Sequence, residues 1–291
     1  MDDINRIRKT SIWIFFIPVV VLNSCLFISV NYDLLEGTIF TVDQIGRSSF
    51  TIPYFDGGTS ISRSSRTYPA YLLFKPGMII TSLLLIKYWI SNNKLLIKIN
   101  NESIKSKPFL FFGIGSAIFL ILHSIFLGIT YEVDLYKFFR RFILLGFIIF
   151  EIIAQALLVI NILKIKDKIA SYINKKILVL KIILVSTLIV TALISAPILI
   201  SSEYTHLKHA LEWNYFVGIV TFYLFTFMFW KSAKPSVHTP EGVWTKVLIR
   251  RCRRYRRTRH SAMLSATLQS FLPDKLEPLG LSLSGQLRVA S

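Results

Sequence analysis

The sequence predicts an all-α, polytopic membrane protein, a six-transmembrane-helix bundle with N and C termini cytoplasmic. Hydrophobic residues make up 53% of the 291 residues and charged residues only 17%, a composition typical of multi-spanning membrane proteins. Six apolar runs are each long enough to cross a hydrocarbon core of about 30 Å as a helix. The basic residues collect in alternate connections between these runs, which places those connections in the cytoplasm.

The first predicted span covers residues 11–30 and follows a leader that contains Arg6, Arg8 and Lys9. The run is longer than the apolar part of a typical signal peptide and precedes further spans, so we expect it to be retained. The connection that follows, residues 31–66, is the longest between spans and is rich in glycine, serine and threonine. Its short alternating stretches fit either brief strands or an extended loop.

The last predicted span is the most regular of the remaining five. No charged residue lies between Glu212 and Lys231, and Trp213 and Trp230 stand near its two ends. Tryptophans in these positions are typical of anchors at the two membrane interfaces. The spans after the first are predicted at residues 69–90, 108–130, 139–163, 177–200 and 213–230.

The composition changes near residue 235, which divides the chain into a transmembrane domain, 1–234, and a basic tail, 235–291, predicted to be disordered. One interpretation makes the tail a patch that contacts anionic lipid, since cations near a membrane surface contribute about 1 kcal/mol each. The other makes the residues from about 241 onward a read-through, frame-altered or fused extension without an evolved role. The candidate lipid contacts are Arg250, Arg251, Arg253, Arg254, Arg256 and Arg257.

Polar residues inside the spans are the first candidates for a functional site, because an ionisable group in lipid requires a partner or a water-filled cavity. Glu151 lies near the middle of its span, Gln155 follows on the same helical face, and His123 lies in the preceding span. One hypothesis is a polar pocket shared by the three, used for lipid headgroups or proton transfer. The alternative is a structural hydrogen bond between helices.

A second cluster precedes the last span, where Glu203, His206, His209 and Glu212 follow one another at intervals of three residues. Two histidines and a carboxylate in this spacing form a weak candidate metal site, and a solvated start of the helix explains them equally well. The histidines also allow a pH-responsive rim. Because the chain lacks the phosphate-binding, nucleophile-elbow and CxxC motifs of soluble enzymes, we expect no cofactor and no metal.

Two stretches resemble the DRAM/Frag/Sfk family of six-helix membrane proteins. They are ISRSSRTYPAYLLFKPGMIITSLLL, from Ile61 to Leu85, and the last span with Glu212-Trp213 at its start and Trp230 near its end. The chain departs from the family pattern at Arg63, Ala70 and Lys231. The positions that match the motif are Ile61, Ser62, Pro69, Phe74, Glu212, Trp213 and Trp230.

The resemblance implies an integral protein of the endomembrane system or plasma membrane that regulates or organises membrane lipids, membrane trafficking or autophagy. Its expected partners are membrane lipids and other membrane or peripheral proteins, not nucleic acid. A lipid- or GPI-anchor-remodelling enzyme is the alternative, with His123 or His206 and His209 as acid or base, and we expect a non-catalytic protein in preference to it. A second alternative is a small transporter or channel that uses Glu151.

Overall fold

The fold is described from a computed structural model, for residues 2–100, 107–128, 134–200 and 203–231. The basic tail, with all six of its candidate arginines, lies outside the described residues. Within them the chain is all-helical, with seven α-helices and no strand. The helices are α1 Asp2–Val30, α2 Ile61–Ser65, α3 Ala70–Asn100, α4 Lys107–Phe126, α5 Asp134–Lys164, α6 Lys175–Ile200 and α7 Thr205–Phe229.

Five of the described helices are long and apolar enough to cross a membrane, which confirms a multi-pass membrane protein as the class. They overlap the first five predicted spans, and α7 overlaps the sixth, although several predicted bounds lie outside the helical segments. α7 is not one of the five, because Glu212 and its tryptophan, tyrosine, asparagine and threonine residues lower its hydropathy. Six spans and cytoplasmic termini therefore stay predictions. The five helical segments are Asp3–Val30, Ala70–Ile99, Pro108–Phe126, Phe138–Lys164 and Lys175–Ile198.

The long connection between α1 and α3 is an extended loop with two single-turn 3₁₀ helices, Tyr32–Leu35 and Gln44–Gly46, followed by the short helix α2. Of the two interpretations left open by its sequence, the loop is therefore the one observed. We call the end of the bundle that carries this connection the loop end. The other end carries the first residues of α1 and the connection between α5 and α6.

A carboxylate organises the turn at residues 51–58 of this loop. Asp56 accepts hydrogen bonds from the Thr51 hydroxyl at 2.5 Å and from the backbone N–H groups of Gly58 and Ile52 at 2.8 and 2.9 Å. These donors, first of all the Thr51 hydroxyl, lower the pKa of the exposed Asp56 carboxyl. Gly57 follows at φ +61°, where a Cβ would collide with the backbone of His206. The turn thus packs directly on the start of α7.

The helices pack as neighbours in space: α1 contacts α3 and α7, α3 contacts α4, α4 contacts α5, and α6 contacts α7. Large aromatic side chains fill the centre of this arrangement, with Trp89 and Tyr88 of α3 fully buried. Gly113 lets α4 approach α3 closely, since a Cβ there would overlap the Trp89 ring. The larger core cluster therefore runs through α1 and α3 to α7, and a smaller one joins Ile152, Leu188 and Tyr215.

The two tryptophans of α7 do not anchor the helix in the lipid interfaces. Trp213 and Trp230 are 0% and 3% exposed, so both face protein, and the prediction of interfacial anchors is wrong. At the loop end, the Trp213 indole N–H donates to the Thr59 carbonyl at 3.0 Å. At the other end, Trp230 pairs with Ile173 in an isolated antiparallel bridge. Trp213 and Trp230 therefore fasten connections to α7 instead of facing lipid.

Candidate functional site

A cavity lies between α1, α3, α4, α5 and α7, with about 80 Å³ of space that water-sized spheres can occupy. On α3 its lining runs from Phe74 to Leu85, and on α7 from Glu212 to Tyr223. Eleven residues of helix rise about 16 Å, so the cavity extends over roughly half of a hydrocarbon core of about 30 Å. Apolar side chains form most of the wall, including Ile14, Leu22, Met78, Leu120, Ile148, Phe216, Ile219 and Val220.

Glu151 of α5 reaches the cavity wall although its residue is 0% exposed. Its carboxylate accepts hydrogen bonds from the Ser116 hydroxyl of α4 at 2.6 Å, from the Gln155 amide at 3.0 Å, and from the Tyr223 hydroxyl of α7. Three donors offset much of the cost of removing a carboxylate from water. The same bonds connect three helices, so Glu151 both joins helices and faces the cavity.

Gln155 was predicted to share a pocket with Glu151, and the two side chains are hydrogen-bonded. The Gln155 amide nitrogen also donates to the Ile219 carbonyl at 3.3 Å, while its Oε1 accepts no hydrogen bond within the described part of the chain. Gln155 does not belong to the cavity lining. Its place is behind Glu151, where it orients the carboxylate.

His123, the third member of the predicted pocket, lines the same cavity as Glu151. The residue is 7% exposed, and its ring meets the edge of Phe74 at a centroid distance of 6.1 Å. The predicted pocket therefore brings His123 and Glu151 to one cavity. Phe74, a position of the matched motif, forms the wall beside them.

Glu212 lies at the loop end of the cavity and connects α7 to α2. Its carboxylate lies close to the backbone N–H groups of Ile61 and Ser62 and to the Ser62 hydroxyl. Ile61 also contributes to the cavity wall. Three positions of the matched motif thus meet at the cavity mouth, where the carboxylate of Glu212 faces the free N–H groups at the start of α2.

The remaining motif positions hold the surrounding structure. Trp213 binds the loop through Thr59 and stacks edge-to-face on Tyr54 at 5.0 Å. Pro69 is buried directly before α3. Trp230 lies at the opposite end of α7, far along the helix from the mouth. Trp213 and Pro69 belong to the loop end that carries the mouth, Trp230 does not, and none of the three lines the cavity.

The histidines before the last span lie where the turn at residues 51–58 packs on the start of α7. His209 Nδ1 lies 3.0 Å from the Gly57 carbonyl oxygen, and His206 is exposed. Among the described residues, no group of three or more histidine, cysteine, aspartate or glutamate side chains could hold a metal ion. The His209 contact instead helps to dock the turn at residues 51–58 on α7.

Lys181, in the span of α6, is a second fully buried ionisable residue and was not predicted from the sequence. Its ammonium donates to the Thr226 hydroxyl at 2.9 Å and lies 3.9 and 5.3 Å from the ring centroids of Phe222 and Phe229. Its sequence signal is a single lysine four residues inside the run 177–200. Its partners come from α7, which no local pattern around Lys181 reveals.

Comparisons with known proteins found no matching family model, no matching curated protein and no matching solved structure. The resemblance to the DRAM/Frag/Sfk family therefore stays a prediction from the two matched stretches. The geometry alone offers a narrow apolar cavity with carboxyl groups at its mouth and at mid-depth. Such a cavity can hold a hydrocarbon chain and hydrogen-bond a polar group attached to it.

Proposed function

We propose that this membrane protein binds a hydrocarbon chain of a membrane lipid in the cavity between α1, α3, α4, α5 and α7, and so organises or regulates membrane lipids. The single observation that carries the proposal is this cavity with its mostly apolar wall.

The shape of the wall favours a chain over a compact polar substrate. The lining follows α3 and α7 in parallel for about 16 Å, and carbon-rich side chains of five helices surround it. A hydrocarbon chain that enters the cavity exchanges contacts with lipid for contacts with side chains of similar polarity. How closely the cavity wall fits that chain therefore decides the affinity. The cavity therefore suits one extended chain.

The wider proposal retains the role suggested by the sequence. A lipid site within six spans, with both termini cytoplasmic, fits a regulator of membrane lipids, trafficking or autophagy in the endomembrane system or plasma membrane. Such a regulator needs membrane lipids as ligands and, for signalling, a membrane or peripheral protein partner. The matched positions at the mouth, Ile61, Ser62 and Glu212, support this assignment because they meet at the cavity.

The test uses purified full-length protein in detergent and photoactivatable hexadecanol, an uncharged single-chain probe. Val220 lines the cavity and is 6% exposed, so Val220→Phe fills the space. Val217 on the same helix is 40% exposed and faces away, so Val217→Phe is the matched control. We expect V220F to lower labelling about tenfold, equivalent to about 1.4 kcal/mol, and V217F to leave it unchanged. Equal labelling of the two variants, with both folded, would refute the proposal.

A second candidate function, transport coupled to protons, is favoured by the position of Glu151 at the cavity wall near the middle of α5. A carboxyl group at membrane depth that reaches a cavity is a frequent feature of transport pathways. Proton flux in proteoliposomes tests it. Flux that Glu151→Gln abolishes would support transport, and flux unaffected by that substitution, or none at all, would dismiss it.

A further inference from the structure

The polar groups of the cavity indicate the headgroup of the ligand as well as its chain. We propose that the cavity takes a single-chain amphiphile with a positively charged amine, a long-chain amine or amino alcohol, whose ammonium group binds Glu212 at the mouth. The inference rests on the proposed function, because it assigns the headgroup of the ligand bound by the same cavity.

The first argument is the charge of the lining. Its ionisable members among the described residues are two carboxyl groups, Glu151 and Glu212, with the His123 imidazole and the Tyr223 phenol. No lysine or arginine of the described chain belongs to the lining. A phosphate or carboxylate headgroup would therefore meet carboxyl groups without a cation in the wall, and like charges at such a contact cost several kcal/mol.

The nearby cations have other positions. Arg140 interacts electrostatically with His123 but lies outside the lining. Lys181 is enclosed by Phe222, Phe229 and Thr226, and none of these three lines the cavity. Neither cation is in the wall that a ligand would touch.

The second argument is the unused hydrogen-bonding capacity. The hydroxyl protons of Thr81 and Tyr223 are already donated, to the Gly77 carbonyl at 2.8 Å and to Glu151. What these groups and the two carboxyl groups can still offer is acceptor lone pairs, since an ionised carboxylate is acceptor-only with about four acceptor positions. His123 adds one N–H donor and one acceptor nitrogen, so acceptors outnumber donors in the lining. A ligand that donates hydrogen bonds fits this excess, and an ammonium group donates three.

The third argument places the ammonium group at Glu212 and not at Glu151. Glu212 lies at the loop end, where a headgroup remains near the membrane surface, and the lining continues from there toward Tyr223. Each of the two carboxyl groups has three donors beside it, so depth and not hydrogen bonding distinguishes them, and Glu151 is the deeper one. Carrying a charge to the depth of Glu151 costs more than leaving it at the mouth. The chain would then extend past Met78 and Phe216 into the bundle.

The experiment compares three probes of equal chain length, namely hexadecylamine, hexadecanol and hexadecanoate, each competing with photoactivatable hexadecanol on the purified full chain at neutral pH. We expect hexadecylamine to compete at least about tenfold better than hexadecanoate, with hexadecanol between them. The ammonium group forms a close pair with the oppositely charged Glu212, whereas the carboxylate of hexadecanoate is repelled by it. Glu212→Gln should remove the advantage of the amine over the alcohol. Glu36→Gln, at an exposed loop carboxylate paired with Arg47 at 3.5 Å, should leave it unchanged.

The outcomes separate the two proposals. If all three probes compete equally, or hexadecanoate competes best, the headgroup inference is overturned while chain binding stands. If none of the three competes, both proposals fall. If E212Q does not fold, the three-probe series on the unaltered chain still decides, because the order of the headgroups needs no variant. If Glu151→Gln removes the preference for the amine and E212Q retains it, the ammonium group does not bind at the mouth, and that part of the proposal is overturned.

Discussion

Glu151 and Lys181 are both 0% exposed and lie in helices that cross the bundle, yet their surroundings differ. Glu151 is surrounded by hydrogen-bond donors from three side chains and reaches the cavity. Lys181 has one hydroxyl partner and two aromatic faces, and it does not reach the cavity. The difference teaches that burial alone does not place an ionisable residue at the cavity, since of these two only Glu151 reaches it.

The two sites balance the cost of burial by different means. A carboxylate has only acceptors, so Glu151 is stabilised by O–H and N–H donors. An ammonium group can use the negative faces of aromatic rings, with about 2 kcal/mol or more available from a desolvated cation–π contact. Tyr88 lies between the sites, with its hydroxyl 3.2 Å from that of Thr226 and its ring 4.9 Å from that of Tyr223. The sites are therefore neighbours in one packed core.

The largest loss of stability is expected from the substitution of Lys181. Lys181→Ala removes the buried stem and both ring contacts and leaves a cavity, so we expect a loss of about 3 kcal/mol in the free energy of unfolding. Lys181→Met keeps most of the volume and removes the charge, so it should cost less than about 1 kcal/mol. Thermal unfolding in detergent measures both. Hexadecanol labelling of the folded protein should not change, and its loss in stable K181M would assign Lys181 to the site.

A smaller effect is expected from the hydroxyl that supports Glu151. Ser116→Ala deletes the donor 2.6 Å from the Glu151 carboxylate, which should cost about 1–2 kcal/mol because a buried charge loses a partner. The Ser116 hydroxyl also reaches the Gly113 carbonyl of its own helix at 2.9 Å. Ser124 of the same helix is likewise 0% exposed, and its recorded acceptor is the Leu120 carbonyl of its own helix. Ser124→Ala should cost about 0.5 kcal/mol or less. Equal costs for the two variants would contradict the role given to the Ser116 bond.

The smallest effect is expected at Asp56, a third carboxylate with three donors that differs from Glu151 in being exposed. Because its pKa is lowered in the folded protein, its contribution is complete above the ordinary pKa of an unfolded aspartate and is lost as pH falls through the folded value. Asp56→Asn should therefore lower the thermal midpoint slightly at pH 7, and the difference should shrink as pH falls below 3.8. A difference that grows in acid would have the wrong sign.

The sequence predicts one of the two buried charges and not the other, for a physical reason. Glu151 and Gln155 are four residues apart, so their contact follows from helix geometry. Lys181 depends on Phe222, Phe229 and Thr226, about forty or more residues away, and only the packing of α6 on α7 brings them together. An isolated lysine near the start of an apolar run also resembles one that extends to the membrane surface.

The helices themselves could be predicted from the sequence, whereas the contacts between them could not. Hydropathy and length predict α1 and α3 to α6, because a membrane span depends on the composition of one continuous segment. The burial of Trp213 and Trp230 could not be predicted, since a tryptophan at the end of a span has the same sequence signal whether it faces lipid or protein. The contact of Glu212 with Ile61 and Ser62 was not predicted either. The sequence shows only that the two stretches that contain them match the pattern of one family.

The most direct test of the central claim is to map where a bound chain lies. Hexadecylamine with a photoreactive group at the end of its chain is crosslinked to the purified protein, and the labelled residues are identified by peptide mass spectrometry. The account predicts label on cavity residues such as Leu120, Leu144 and Ile148, and its loss in V220F. Label confined to residues on the outside of the bundle, such as Leu193 and Ile194, which are 72% and 67% exposed, would contradict the account.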